Sequence, residues 1–466
     1  MDQPSDQLEA PPPPPADYSD AADDQVPGYL AGGGQMVGTA APAELPLRGW
    51  PRALSAMRHQ AYRRLWSGAL VSNIGSWMQN VARDWLVFEL AGPTGKFWLG
   101  LNAFAEGIPL TFLLPIGGVL ADRFPRRWIL ICANAASAVL ALLLASLTIW
   151  GKLRGWHIIA FTAANAAMDA LRIPANQSLL PDLVDHATIP NAIALNSMQF
   201  NLSRVAGPAL GGLTLLYLGA AWSFSLNALS FVAVIIPLLL MRHLPPPRPR
   251  TDSMRETLAK GIRYVRSRGD LVTMMTLVVL GGMLSAPVTK MLPALSHDYY
   301  QRGEAGFSVL LSCFGIGAVF GAALLAVRSH RNPTPWRAFP ILMMLGVCQI
   351  VLALNRHYVV GLVLVALVGM MFIGTMVRLN AAIMQSTPRS VRGRVASFQV
   401  MAFRLGLPIG GLLAGWVAQT AGLKWTYLSF GLAMIVVMPL LMLAARRRDV
   451  QWQTAAPDPD AHHGGL

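Results

Sequence analysis

The chain has 466 residues, of which 54% are hydrophobic and only 13% charged, against about 25% charged in an ordinary globular domain. A mean hydropathy of +0.46 over that length excludes a mostly soluble enzyme. The net charge of +14 does not read as a nucleic-acid footprint, because the basic residues are confined to short segments between apolar runs.

Residues 1–47 carry eight acids, no Lys or Arg, and a proline run from Pro11 to Pro15. They are expected to form a disordered acidic, Pro-rich cytosolic tail, since they offer too little apolar surface to offset ordering entropy. No cleavable signal is expected at the start. An N-terminal half follows over 48–241, then a connection at 242–270, a C-terminal half over 271–445 and a cytosolic tail at 446–466.

Twelve apolar stretches lie near 65–90, 97–121, 128–149, 156–179, 193–217, 222–241, 271–292, 306–327, 337–355, 358–384, 394–420 and 424–445. Each is long enough to cross a ~30 Å hydrocarbon core, so the fold class is an all-α integral membrane protein of twelve helices in two six-helix halves. The first stretch contains Asn73, Gln79, Asn80, Arg83 and Asp84, which suits a helix facing a cavity. With the N-terminus cytosolic, 27 Lys and Arg fall on the cytoplasmic side, seven on the other (Lys290 among them) and three within spans. Both termini are therefore expected on the cytoplasmic side of the membrane. Within the connection, Leu258, Ile262 and Val265 recur among basic residues over 253–268, the pattern of an amphipathic helix on the inner leaflet.

The halves repeat one another. Ser197, Gln199, Arg204, Pro208 and Gly211 answer Ser397, Gln399, Arg404, Pro408 and Gly411 at a constant offset of 200. Arg172 and Gln177-Ser178 answer Arg378 and Gln385-Ser386, and Leu120-Ala121-x-Arg123-x-x-Arg126 answers Leu325-Ala326-x-Arg328-x-x-Arg331. Duplicated halves imply a site at their interface and alternating access.

The run Gly118-Val119-Leu120-Ala121-Asp122-Arg123-Phe124-Pro125-Arg126-Arg127 resembles the loop signature between spans two and three of the major facilitator superfamily. Gly207-Pro208-Ala209-Leu210-Gly211-Gly212 resembles the span-five signature of that superfamily's exporters, with Ser203 where a glycine is usual. Tyr62 to Leu130, with Gly75-x-Trp77-x-Gln79 and Asp84-Trp85-Leu86, is similar to the bacterial subfamily of enterobactin exporters and macrolide efflux pumps. The resemblance implies export of a siderophore or drug-like molecule by antiport. It also implies an inner gate latched by the loop, with Asp122 near span eleven, where Arg394 is the candidate partner. On the residues alone, Asp122 can instead accept from Arg126 or face the positive N-terminus of another helix.

Intramembrane charges are costly and mark function by default. Glu106, Asp84 and Asp169 are the proton-coupling candidates, although Arg172 at i+3 offers Asp169 a simple structural pairing. Arg204, Arg404 and Arg83 are candidates for substrate binding or charge relay, with Arg204 and Arg404 able to hold an anion, to neutralise Glu106 and Asp169, or simply to pair with helix carbonyls. Trp77, Met78, Phe104, Phe200 and Phe403 offer a lining. The small residues Gly207, Pro208, Gly211 and Gly212 suit close helix packing. No nucleotide loop or metal-ligand spacing occurs, so no catalytic residue, cofactor or metal is expected. The expected partners are a small-molecule substrate, protons and the lipid bilayer, not nucleic acid, and the reading admits a monomer. An importer on the same fold, or a non-transporting scaffold or sensor, is the alternative.

Overall fold

A computed structural model describes residues 53–241, 262–328 and 335–447, with a few further side chains left out at 326–328, 335, 389–390, 393–394, 397 and 446–447. Twelve long helices run through these residues. They are α1 (Gln60–Leu90), α2 (Gly95–Arg123), α3 (Arg126–Ile149), α4 (Gly155–Leu179), α5 (Ile189–Leu218) and α6 (Ala220–Leu240), then α7 (Gly269–Lys290), α8 (Gly303–Arg328), α9 (Ala338–Leu354), α10 (Tyr358–Gln385), α11 (Arg389–Thr420) and α12 (Leu423–Arg447). After Lys290 the chain continues through a short helical turn into a π-helical stretch, Leu295–Tyr299. The tails and most of the expected amphipathic helix at 253–268 lie outside the described residues. Residues 262–267 of that segment are helical.

Eight of the helical stretches are long and apolar enough to cross a membrane, while α9 is apolar but shorter. Composition explains why α1, α4 and α5 fall short of that standard. α1 is interrupted by Asn73, Gln79 and Asn80 ahead of Arg83 and Asp84, α4 carries Asp169 and Arg172, and α5 carries Arg204, polar groups that a helix tolerates only when it faces protein or an internal cavity.

The packing reproduces the sequence repeat. In the first half α1 packs on α5 and α6, α2 on α4, and α3 on α6; in the second, α7 packs on α11 and α12, α8 on α10, and α9 on α12. Small residues permit these approaches. A Cβ placed on Gly117 of α2 would lie 1.9 Å from the Ala170 carbonyl oxygen of α4, and one on Gly317 of α8 would lie 1.8 Å from that of Ala366 on α10. Without a hydrophobic force between helices in lipid, such close contact is a main source of cohesion.

Polar residues of α1 are satisfied within the first half. Gln79 is only 3% exposed and its Oε1 accepts from Asn227 Nδ2 of α6 at 2.8 Å. A buried amide is retained where a neighbouring helix supplies its partner.

The halves meet through two seams exchanged by the repeat, α2 against α11 and α5 against α8. Both seams lie between mid-helix and the end where α1 turns into α2 at residues 91–94. Along α2, Gly100 faces Gly415, Ala103 faces Gly411 and Gly107 faces Pro408. Thr111 Oγ1 then donates to the Arg404 carbonyl at 3.4 Å. Beyond Thr111, toward Arg123, no hydrogen bond joins α2 to α11 among the described residues, and a Cβ on Gly118 would meet nothing within 4 Å. The interface is shut at the 91–94 end.

Candidate functional site

Four charged side chains from α1, α2 and α7 converge at this interface. Arg83 donates to Asp84 Oδ1 from Nε at 3.2 Å and from Nη2 at 3.1 Å, and Nη2 also reaches Glu106 Oε2 at 3.4 Å. Lys290 Nζ donates to the same Glu106 oxygen at 2.9 Å. Asn102 Nδ2 donates to Asp84 at 2.8 Å, and Thr162 Oγ1 of α4 donates to Asn102 Oδ1 at 2.8 Å. Two cations and two carboxylates thus balance, each with hydrogen-bonding partners, which is the condition for holding charge away from water.

The members differ in access. Arg83 is 3% exposed, whereas the Glu106 side chain keeps 37% of its surface open. Glu106 is also the member that spans the halves, because Lys290 belongs to the second. Arg404, 8% exposed, lies within electrostatic reach of both Glu106 and Asp169. Asp169 forms an i,i+3 ion pair with Arg172, which also donates to Asn134 Oδ1 at 3.3 Å. Arg204 stands apart, over the Phe314 ring of α8 with 5.3 Å to its centroid. Trp77 meets Phe200 edge-on and Phe372 stacks on Phe403, each pair at 6.3 Å between centroids.

Nearer the 91–94 end, Lys96 Nζ and Asp298 form a second ion pair between the halves at 2.8 Å. Gln419 Nε2 of α11 donates to the Pro93 carbonyl at 2.9 Å. A cleft of about 320 Å³ opens here, lined by Trp85, Phe88, Lys96, His297 and Asp298 among others.

The residues of the 118–127 loop signature lie at the opposite end. Arg126 pairs with Asp182 rather than with Asp122, and donates to the Ser178 carbonyl at 2.9 Å. Arg127 Nη2 donates to the Leu239 carbonyl at 2.8 Å, and Arg123 is exposed. These arginines fasten the ends of α4 and α6 to the loop. Asp122 is half-buried and forms no ion pair among the described residues. The Arg394 side chain lies outside the described residues. Of the packing motif, Gly207 and Gly211 press on Trp77 and Met78 of α1 within the first half, while Gly212 faces Ser308 of α8 across the halves.

Sequence reasoning missed Lys290, Asn102, Thr162 and Asp182. Lys290 was counted with the loop cations, although it falls inside the seventh apolar stretch; a lone lysine within a span was the available signal.

Residues 52–463 match a family model described as a transmembrane secretion effector. The chain belongs to this family of major facilitator transporters. Enterobactin exporters from Shigella boydii serotype 4 and Escherichia coli O1:K1 are each 27% identical over 413 residues, covering 86% of this chain and 96% of theirs. Among solved structures, a bacterial homologue of the human lysosomal transporter Spinster superposes with a TM-score of 0.67 at 12% identity, covering 88% of this chain and 100% of that one. The nucleoside transporter NupG superposes with a TM-score of 0.63 at 14% identity, covering 82% and 98%. The protein is thus a multi-pass membrane transporter of the major facilitator fold, and not an enzyme.

Proposed function

We propose that the transporter exports a small amphipathic molecule, siderophore or drug-like, by proton antiport with alternating access. The observation that carries this reading is the Glu106–Lys290 hydrogen bond, a partly open carboxylate tied across the halves at 2.9 Å. The 27% identity to proteins named as enterobactin exporters supports the direction and the substrate class.

The 27-to-7 division of basic residues favours cytoplasmic termini, which makes the 91–94 end the outer one and the arrangement inward-open. In that state Glu106 is unprotonated, paired with Lys290, and substrate loads from the cytoplasm. Outward opening separates α7 from α2, exposes Glu106 to the outer medium and lets a proton neutralise it. The proton returns inward with the carrier, and its release re-forms the pair. Asp84, held by Arg83 and Asn102, keeps the surrounding charge fixed, while Asp169, paired with Arg172, is the weaker coupling candidate.

The test compares small molecules inside and outside cells lacking or overexpressing the protein, under iron-poor and iron-rich conditions. A compound retained by the deletion strain and enriched in the medium on overexpression is the expected result. Accumulation of a medium component inside overexpressing cells would replace export with import. In everted vesicles, Glu106→Gln is expected to remove the response of flux to ΔpH; an unchanged response rejects Glu106 as the coupling group.

A further inference from the structure

The repeat makes Arg204 and Arg404 equivalent in sequence, yet their surroundings differ. Arg404 lies within reach of Glu106 and Asp169. Among the described residues Arg204 forms no ion pair with a carboxylate, and its guanidinium donates no hydrogen bond there. It sits midway along α5, opposite the exposed stripe of Met198, Leu202 and Leu213. Ser203, Gly207 and Pro208 around it are buried while Arg204 itself remains partly open. That opening faces the interior between the halves, not lipid.

The guanidinium lies over Phe314. Attraction of the cation to a ring 5.3 Å away uses none of its N–H donors, which keep the fork geometry that matches a carboxylate. One turn away on the same face, Phe200 meets Trp77. An unpaired cation at mid-membrane depth is unfavourable unless something supplies its counter-charge, and no described side chain does so. The site therefore combines an open fork, braced on α8, with an aromatic wall built from α1 and α5.

We infer that Arg204, braced on the buried Phe314 ring, docks an anionic group of the substrate, a carboxylate or an acidic phenol, while Trp77 and Phe200 receive its apolar part. This rests on the reading of the protein as a carrier of small amphipathic molecules and specifies their charge. Arg404 is left to the acidic cluster, so the two symmetric arginines have separate tasks.

The test uses full-length transporter in nanodiscs and two probes that differ only at one end, 1-pyrenebutyrate and 1-pyrenebutanol. Tryptophan-to-pyrene energy transfer, with empty nanodiscs subtracted, reports binding. Wild type is expected to bind the carboxylate at least tenfold tighter than the alcohol. Arg204→Gln erases that preference, and Arg404→Gln leaves most of it. Arg204→Lys, which keeps the charge but loses the fork, reduces the preference severalfold and decides the matter should the glutamine variant fail to fold. No preference in wild type, a preference unchanged in either Arg204 variant, or one erased by Arg404→Gln overturns the inference. Uptake of pyrenebutyrate into everted vesicles tests direction separately: an intact preference without such uptake removes export and leaves the Arg204 site standing.

Discussion

Glu106 and Lys290 stand 184 residues apart and share a 2.9 Å hydrogen bond that joins the two halves of the transporter. Lys290 closes α7, immediately before the chain leaves regular α-helix for the π-helical stretch at Leu295–Tyr299. Glu106 lies one turn from Asn102, which holds Asp84. Movement of α7 against α2 therefore acts directly on the balance of the whole cluster.

A double-mutant cycle on this pair separates its contribution from that of its neighbours. Lys290→Met alone leaves Glu106 with the longer contact to Arg83 and the more distant Arg404, and Glu106→Gln alone leaves the ammonium without its carboxylate. Each single variant is expected to lower thermal stability by ~1–2 kcal/mol, below the cost of breaking a fully buried pair because the Glu106 side chain keeps 37% of its surface open. The double variant is expected to recover ~1–3 kcal/mol relative to the sum. Additive losses would show that the pair does not act as a unit.

Gly107 tests closure at the 91–94 end. A Cβ there would lie 1.8 Å from Pro408 Cγ, and a proline ring cannot turn away as a flexible side chain does. Gly107→Leu is expected to hold α2 and α11 apart, reduce transport at least a hundredfold and leave the protein folded. Spin-label distances between residues beside Pro93 and Gln419 should lengthen in the variant. Unchanged distances with normal transport would remove the seam from the gating account.

The repeat and the apolar stretches made the fold legible before the structure, because both are properties of contiguous residues. The helices α2 to α6 differ from the stretches read in sequence by a few residues. The ends were harder where polar residues continue a helix, as at Arg389 of α11 and Gln60 of α1. The charged cluster was legible only in part. Arg83, Asp84 and Glu106 stood out as charges inside spans, but pairing across the halves depends on which helices meet. That is why Lys290 was read as a loop cation, and why Arg126 had an open choice until the turn carrying Asp182 came alongside.

Asp122 and Gly118 form the converse case, since neither has a close partner among the described residues in this state. If the loop latches the inner gate, both matter only when the end carrying residues 124–125 closes. Asp122→Asn is expected to lower the maximal transport rate about tenfold, on the scale of one lost charged hydrogen bond, without changing expression or melting temperature. Gly118→Leu should behave likewise, since added bulk meets nothing now but would meet a helix on closure. Transport at the wild-type rate in both variants would remove the latch.

Gly211 and Gly212 are adjacent in α5 yet face different neighbours, and substitution should separate packing within a half from packing between halves. A Cβ on Gly211 would come within 2.9 Å of Met78 Cα, whereas one on Gly212 would come within 2.3 Å of Ser308 Cβ. Gly211→Leu drives bulk into the α1 backbone and is expected to abolish transport in folded protein, with stability lowered by ~1–3 kcal/mol as for other overpacked cores. Gly212→Ala disturbs only the seam between halves, so its melting temperature should stay within a few degrees of wild type. Its effect should appear instead as opening at the 91–94 end, measured as faster labelling of a cysteine introduced at Ser308. Slow labelling at the wild-type rate would place Gly212 outside the closing seam and leave the packing role to Gly211.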